Sequence, residues 1–65
     1  MKLYNVRIVF EKNEFLFSKP VDEKNKKIIE EAFMNGKRIN AEMSMVDMSK
    51  SLFVIFSEVE VNGNN

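Results

Sequence analysis

The sequence predicts a small α+β domain of order ββαββ, with one helix packed on one face of a four-stranded, mainly antiparallel sheet. Two observations support this fold class. Apolar and polar residues alternate before residue 18 and after residue 38, which is the period of half-buried strands. Between them lies one segment with helical spacing of apolar residues. With 65 residues, the chain has room for one domain.

The first two strands are predicted to form a hairpin. The apolar positions of the first strand are Tyr4, Val6, Ile8 and Phe10. Phe15 and Phe17 continue the alternation beyond a polar segment. A two-residue turn at 12–13 would place Phe10 opposite Phe15, so that both strands present their apolar residues to the same side.

A helix is expected over residues 22–35. Asp22 is a typical N-cap residue, and Gly36 is a typical residue just beyond a helix C-terminus. One stripe of this helix collects the side chains that we expect to face the sheet: Val21, Asn25, Ile28, Ile29, Ala32 and Phe33.

The second half of the chain predicts two more strands. Alternation over residues 39–45 indicates a third strand, and residues 47–51 are rich in turn formers. The apolar run at 52–56 indicates a last strand buried on both faces. We therefore assign residues 1–61 to the domain and 62–65 to a flexible C-terminal tail.

The predicted architecture leaves one sheet face without a cover. A single helix covers one face only, and the other face of a monomer should be polar. Here it is not, since either Phe53 and Ile55 or the alternate residues of the last strand must face away. We expect an interface formed by Leu3, Val9, Leu16, Leu52, Val54 and Phe56. The simpler alternative is a twisted sheet whose second face is sheltered by loops and lysine stems.

Methionines add two candidates to this interface. Met34 and Met48 fall at a predicted helix end and in a predicted turn, where a flexible, polarizable side chain suits an adaptable surface. Met43 and Met45 fall in the predicted third strand, and we interpret them as core residues.

Composition limits the kinds of partner and binding site that the chain can have. The chain has no Cys and no His, so disulfides and Cys/His zinc sites are excluded, and a second subunit remains the available means of stabilising so small a core. No apolar stretch approaches the ~20 residues of a membrane span, and the charged opening of the chain is unlike a signal peptide. We expect a cytoplasmic protein with no membrane partner. The net charge of zero makes nucleic acid an unlikely partner.

Catalytic motifs are missing from the sequence. Its serines have no histidine to act as base, and its two glycines form no phosphate-binding motif. Glu58 and Glu60 would project from one face of the last strand, where we interpret them as charges that discourage aggregation. We expect no enzymatic activity, no metal and no cofactor.

Three segments carry a family resemblance: residues 28–39 (IIEEAFMNGKRI), 46–49 (VDMS) and 54–60 (VIFSEVE). They resemble small ββαββ proteins from phages and prophages of low-GC Gram-positive bacteria. The resemblance implies an anti-defence or host-takeover factor that binds a host protein, and we expect it to act as a homodimer that inhibits or modulates that protein. One alternative is a structural subunit of a larger assembly. Another is a nucleic-acid accessory factor with a local patch formed by Lys24, Lys26, Lys27, Lys37 and Arg38.

Overall fold

Two antiparallel sheets and one helix make up residues 1–60, the part of the chain that the computed structural model describes. The elements are β1 (Lys2–Val9), β2 (Glu14–Leu16), α1 (Glu23–Asn35), β3 (Arg38–Ala41), β4 (Ser44–Asp47), a 3₁₀ turn (Met48–Lys50) and β5 (Phe53–Glu60). The α+β class is confirmed. The single four-stranded sheet is wrong: sheet A has three strands in the order β2-β1-β5, and sheet B pairs β3 with β4. The predicted tail and Val61 lie outside the described residues.

Strand β1 is the centre of sheet A. It pairs with β5 along its whole length, with Ile8 opposite Val54. Its register with β2 differs by two residues from the prediction, because Phe15 lies opposite Ile8 rather than Phe10. The Phe10 amide donates to the Asn13 carbonyl at 2.8 Å, which moves the turn to residues 11–12. A shift of two residues preserves the side-chain faces, so Phe15 still faces the core.

Helix α1 begins and ends where the capping residues predict. The Asp22 carboxylate accepts a hydrogen bond from the Asn25 amide at 2.9 Å. Gly36 ends the helix with a φ of 63°, a left-handed conformation that glycine adopts without steric cost. Ile29 and Ala32 are buried, and the helix contacts β1, β5 and β3.

The segment predicted as one strand over residues 39–45 is instead a hairpin. Glu42 and Met43 have φ values of 49° and 69°, as a two-residue hairpin turn requires, and Ala41 pairs with Ser44 across it. Met43 and Met45 are therefore exposed by 105% and 63%, which overturns their interpretation as core residues.

The 3₁₀ turn after β4 carries a buried methionine. Asp47 caps the turn by accepting a hydrogen bond from the Ser49 amide at 3.0 Å. Met48 is only 1% exposed, so it is a core residue and not a surface residue of an interface.

The last strand is not buried on both faces. Phe53 and Ile55 are 48% and 39% exposed, while Val54 and Phe56 are partly buried against the core. The two sheets share one core with the helix, formed by Val6, Ile8, Ile29, Ala32, Ala41, Val46 and Met48. Within residues 1–60, no helix has the length and apolar character needed to cross a membrane.

Candidate interaction surface

The side of sheet A that faces away from α1 is an apolar surface, called here the outer face. It comprises Leu3, Asn5, Arg7, Val9, Glu14, Leu16, Phe53, Ile55, Ser57 and Val59. Leu16, Phe53 and Ile55 are 55%, 48% and 39% exposed. Clustered apolar side chains at this exposure mark contact sites more often than isolated surface ones do.

Strand pairing brings these residues together. Because side chains alternate along a strand and Ile8 points into the core, its neighbours Arg7 and Val9 point outward. Arg7 lies opposite Leu16 on one side and Ile55 on the other, and Val9 lies opposite Phe53. Leu16, Ile55 and Val9 therefore lie next to Arg7 on three sides, and Asn5 lies on the fourth.

An ion pair crosses the outer face. The Arg7 Nε lies 3.0 Å from Glu14 Oε1, and the two side chains are 53% and 48% exposed. An exposed pair of this kind adds at most about 1 kcal/mol to stability. In a contact that excluded water, the same charges would interact more strongly and would favour one orientation of the partner.

The predicted interface residues divide between the surface and the core. Leu3, Val9 and Leu16 lie on the outer face, and Leu52 is 57% exposed just before β5. Met34 is 80% exposed, but it lies on α1, away from the outer face. The structure places the remaining three beside the core: Met48, Val54 and Phe56.

Phe53 and Ile55 join the surface in place of Val54 and Phe56. The sequence left both parities of the last strand open, because residues 52–56 are apolar throughout. Pairing with β1 decides between them: Val54 lies opposite the buried Ile8 and so shares its face.

A polar cluster joins the helix to sheet A on the other side. The Tyr4 hydroxyl donates a hydrogen bond to Glu23 Oε1 at 2.8 Å, and this bond, together with burial, raises the pKa of Tyr4. Lys26 Nζ lies 4.8 Å from the centre of the Tyr4 ring and 5.5 Å from that of Phe56. It also lies 3.9 Å from carboxylate oxygens of Glu23 and Glu30. Lys26, one of five residues in the suggested basic patch, therefore already interacts with aromatic rings and carboxylates of the same chain.

Hydrogen bonds to Glu42 connect sheet B to the chain that follows the last residue of β2 in sheet A. Its carboxylate accepts hydrogen bonds from the Ser18 amide at 2.8 and 3.0 Å, from the Ser18 hydroxyl at 2.8 Å and from the Lys19 amide at 3.2 Å. The Ser18 amide and hydroxyl are the main reasons that the pKa of Glu42 is lowered. These bonds hold the β3–β4 turn against the connection that follows β2.

Comparison with protein-family models, with curated proteins and with solved structures finds no match to this chain. Among residues 1–60, no group of three or more acidic, His or Cys residues lies close enough together to hold a metal ion.

Proposed function

We propose that this chain is a non-catalytic binding protein of the phage type, which inhibits or modulates a host protein in the host cytoplasm. The outer face of sheet A is the proposed contact surface. The single observation that carries the proposal is the exposure of Leu16, Phe53 and Ile55 around Arg7 on a sheet face that no element among residues 1–60 covers.

The chemistry of the outer face favours a protein as the partner. Aromatic and aliphatic side chains around an arginine resemble the composition of protein–protein contact centres, where aromatics and Arg are enriched. The Arg7–Glu14 pair offers one charge of each sign. Two depressions on this face, of about 330 and 410 Å³, are both open to solvent, whereas a small-molecule site encloses most of its ligand.

Site-specific photo-crosslinking tests the proposal. A photoreactive side chain is placed at Ile55 on the outer face and, as the matched control, at Lys27 on the exposed helix exterior. Each protein is irradiated in lysate of a low-GC Gram-positive host. We expect the Ile55 probe to yield one recurrent host protein that the Lys27 probe does not yield.

The captured protein is then purified, and its affinity is measured directly. Phe53→Lys should weaken its binding at least about tenfold, because a charge would be buried without a partner in the contact. Lys27→Glu should change binding by less than about twofold. Cross-links from Ile55 that reach only a second copy of this chain, or equal losses from both variants, would count against the proposed function.

A further inference from the structure

The outward edge of β5 has a defined hydrogen-bonding pattern. Tyr4 exchanges both backbone hydrogen bonds with Val21 at 2.8 Å, and the Val6 carbonyl accepts from the Phe17 amide at 3.1 Å. Even-numbered residues of β1 therefore bond toward β2. Because alternate residues of a strand bond to opposite neighbours, the odd-numbered residues bond toward β5.

The same alternation assigns the backbone groups of β5. Its odd-numbered residues, such as Ile55 opposite Arg7, face β1. The N–H and C=O groups of Val54, Phe56 and Glu58 consequently point away from sheet A. Within residues 1–60, no strand pairs with them.

This edge differs from the other edge of sheet A. Strand β2 has three residues, and Glu42 of the β3–β4 hairpin bonds to the chain directly after it. Strand β5 has eight residues in unbroken register with β1, and it contains neither Pro nor Lys. Pro, Lys, bulges and short length are devices that keep a sheet edge from pairing, and β5 has none of them. Its two charges, Glu58 and Glu60, which the sequence indicates as a protection against aggregation, lie at one end and leave the apolar end open to another strand.

The charges of β5 favour a second copy in antiparallel orientation. Both carboxylates, Glu58 and Glu60, lie at one end of the strand, and the other end is apolar. Parallel pairing in register would set Glu58 against Glu58 of the other copy, and like charges directly opposite are destabilising. Antiparallel pairing about Phe56 instead sets Glu58 opposite Val54.

Pairing about Phe56 also matches the outer faces of two copies. Only even-numbered residues bond outward, and Phe56 is the even residue nearest the centre of β5. In this register, Phe53 of one copy lies opposite Val59 of the other, on the outer face. The exposed Phe53 ring, 48% accessible in a single chain, then gains an apolar neighbour.

The area of the outer face supports the same partner. The three strands have 8, 3 and 8 residues and lie about 4.8 Å apart, so the outer face of one copy spans on the order of 300 Å². A standard protein–protein contact needs about 800 Å² from each partner. Two copies joined at β5 would present on the order of 600 Å² as one continuous surface, which is the lower end of the range for specific contacts.

We infer that β5 pairs edge to edge with β5 of a second copy, antiparallel and centred on Phe56, which joins two sheets A into one six-stranded sheet. The inference rests on the proposed binding function, because the doubled outer face is what binds the host protein. It assigns self-association to the edge of β5 and leaves the outer face available to the partner.

Light scattering over a dilution series tests the inference with two substitutions at Glu58. Glu58→Pro removes an N–H that points away from β1, so the ladder within sheet A is preserved. Glu58→Ala is the matched control, because it removes the carboxylate and keeps the N–H. We expect twice the 7.6 kDa of one chain for the natural protein and for Glu58→Ala at high concentration, and 7.6 kDa throughout for Glu58→Pro.

Circular dichroism shows whether Glu58→Pro is folded. If it is not, a synthetic chain N-methylated at the Glu58 amide replaces it and is expected to be monomeric. A natural protein of 7.6 kDa at every concentration, or a folded Glu58→Pro chain that dimerises as the natural one does, would overturn the inference. Either result bears on self-association alone, whereas a host protein cross-linked from Ile55 bears on the binding function, so the two proposals can fail separately.

Discussion

The two sides of sheet A have similar residues and opposite surroundings. Ile8 on the covered side is 0% exposed beneath α1 and the β3–β4 hairpin, whereas Ile55 on the outer face is 39% exposed. Both are isoleucines on adjacent, paired strands. Apolar alternation alone therefore does not distinguish a side chain that stabilises the fold from one that is free to bind a partner.

Exchange of these two isoleucines for alanine gives the largest expected difference between the sides. Ile8→Ala should lower the free energy of unfolding by about 3 kcal/mol, because a fully buried side chain leaves a cavity. Ile55→Ala should lower it by less than about 1 kcal/mol, since its side chain is already partly solvated. Urea unfolding followed by circular dichroism measures both. Equal losses would mean that the outer face supports the fold as strongly as the core does.

Replacing Gly36, at the C-terminus of the helix that covers the inner side, should lower the free energy of unfolding. Gly36→Ala should cost about 1 kcal/mol, because a Cβ is disfavoured at a φ of 63° and would lie 3.4 Å from the Ser49 Cβ. Gly36→Asn is the control and should cost less, since Asn tolerates this conformation better. The same unfolding experiment measures both, and an Ala variant as stable as the natural chain would contradict this account of the helix end.

The Glu42 contact should make the covered side sensitive to acid. The pKa of Glu42 is lowered from its ordinary value of 4.5 in the folded state, chiefly by the Ser18 amide. A depressed carboxyl pKa stabilises the fold above 4.5, and that contribution is lost as the pH falls through the lower folded value. Glu42→Gln should therefore lower the melting temperature near about pH 7, with a difference from the natural chain that shrinks toward about pH 3.

Thermal melts over this pH range test the Glu42 contact. Glu11→Gln, at the exposed turn between β1 and β2, is the control and should leave the melting temperature nearly constant. A Glu42→Gln deficit that stayed the same at all pH values would show that the lost stability does not come from the ionised carboxylate.

The smallest effect is expected from the ion pair on the outer face. Arg7→Ala should change the free energy of unfolding by no more than about 0.5 kcal/mol, because both partners are half exposed to solvent. The free energy of binding to the captured host protein should decrease by more than the free energy of unfolding does. A decrease in the free energy of unfolding well above 1 kcal/mol would show that Arg7 mainly stabilises the fold.

Local signals explain the parts of the fold that the sequence predicted. Asp22 and Gly36 cap the helix by contacts with residues close by in the chain, so both helix ends could be predicted from the sequence alone. The faces of β1 and β2 also followed from alternation, even though the turn lies at 11–12 and the register differs by two residues.

The wrong predictions concern features that depend on contacts between residues far apart in the chain. The β3–β4 turn has non-glycine residues at positive φ, and Glu42 at that turn is held by Ser18, which is 24 residues away. No turn motif marks that position, so alternation over residues 39–45 predicts one strand where the structure has two. The sequence does not show the burial of Met48, because that burial depends on where the 3₁₀ turn that begins with Met48 packs.

The candidate surface was half predicted for the same reason. Leu3, Val9 and Leu16 could be assigned to the outward side from the alternation of the first hairpin. The contribution of β5 could not be assigned, because its first residues are apolar at both parities. Only pairing with β1 shows that Phe53 and Ile55 face outward.

Amide hydrogen exchange along β5, measured at low and high protein concentration, tests most directly the claim that a single chain leaves this strand unpaired on one side. At low concentration, the Ile55 and Ser57 amides should exchange slowly and those of Phe56 and Glu58 quickly, because only odd-numbered residues bond to β1. At high concentration, all four should be slow. Phe56 and Glu58 amides that are already slow at low concentration would show that this side of β5 is paired within a single chain. Amides that stay fast at high concentration would show that no second copy pairs with it.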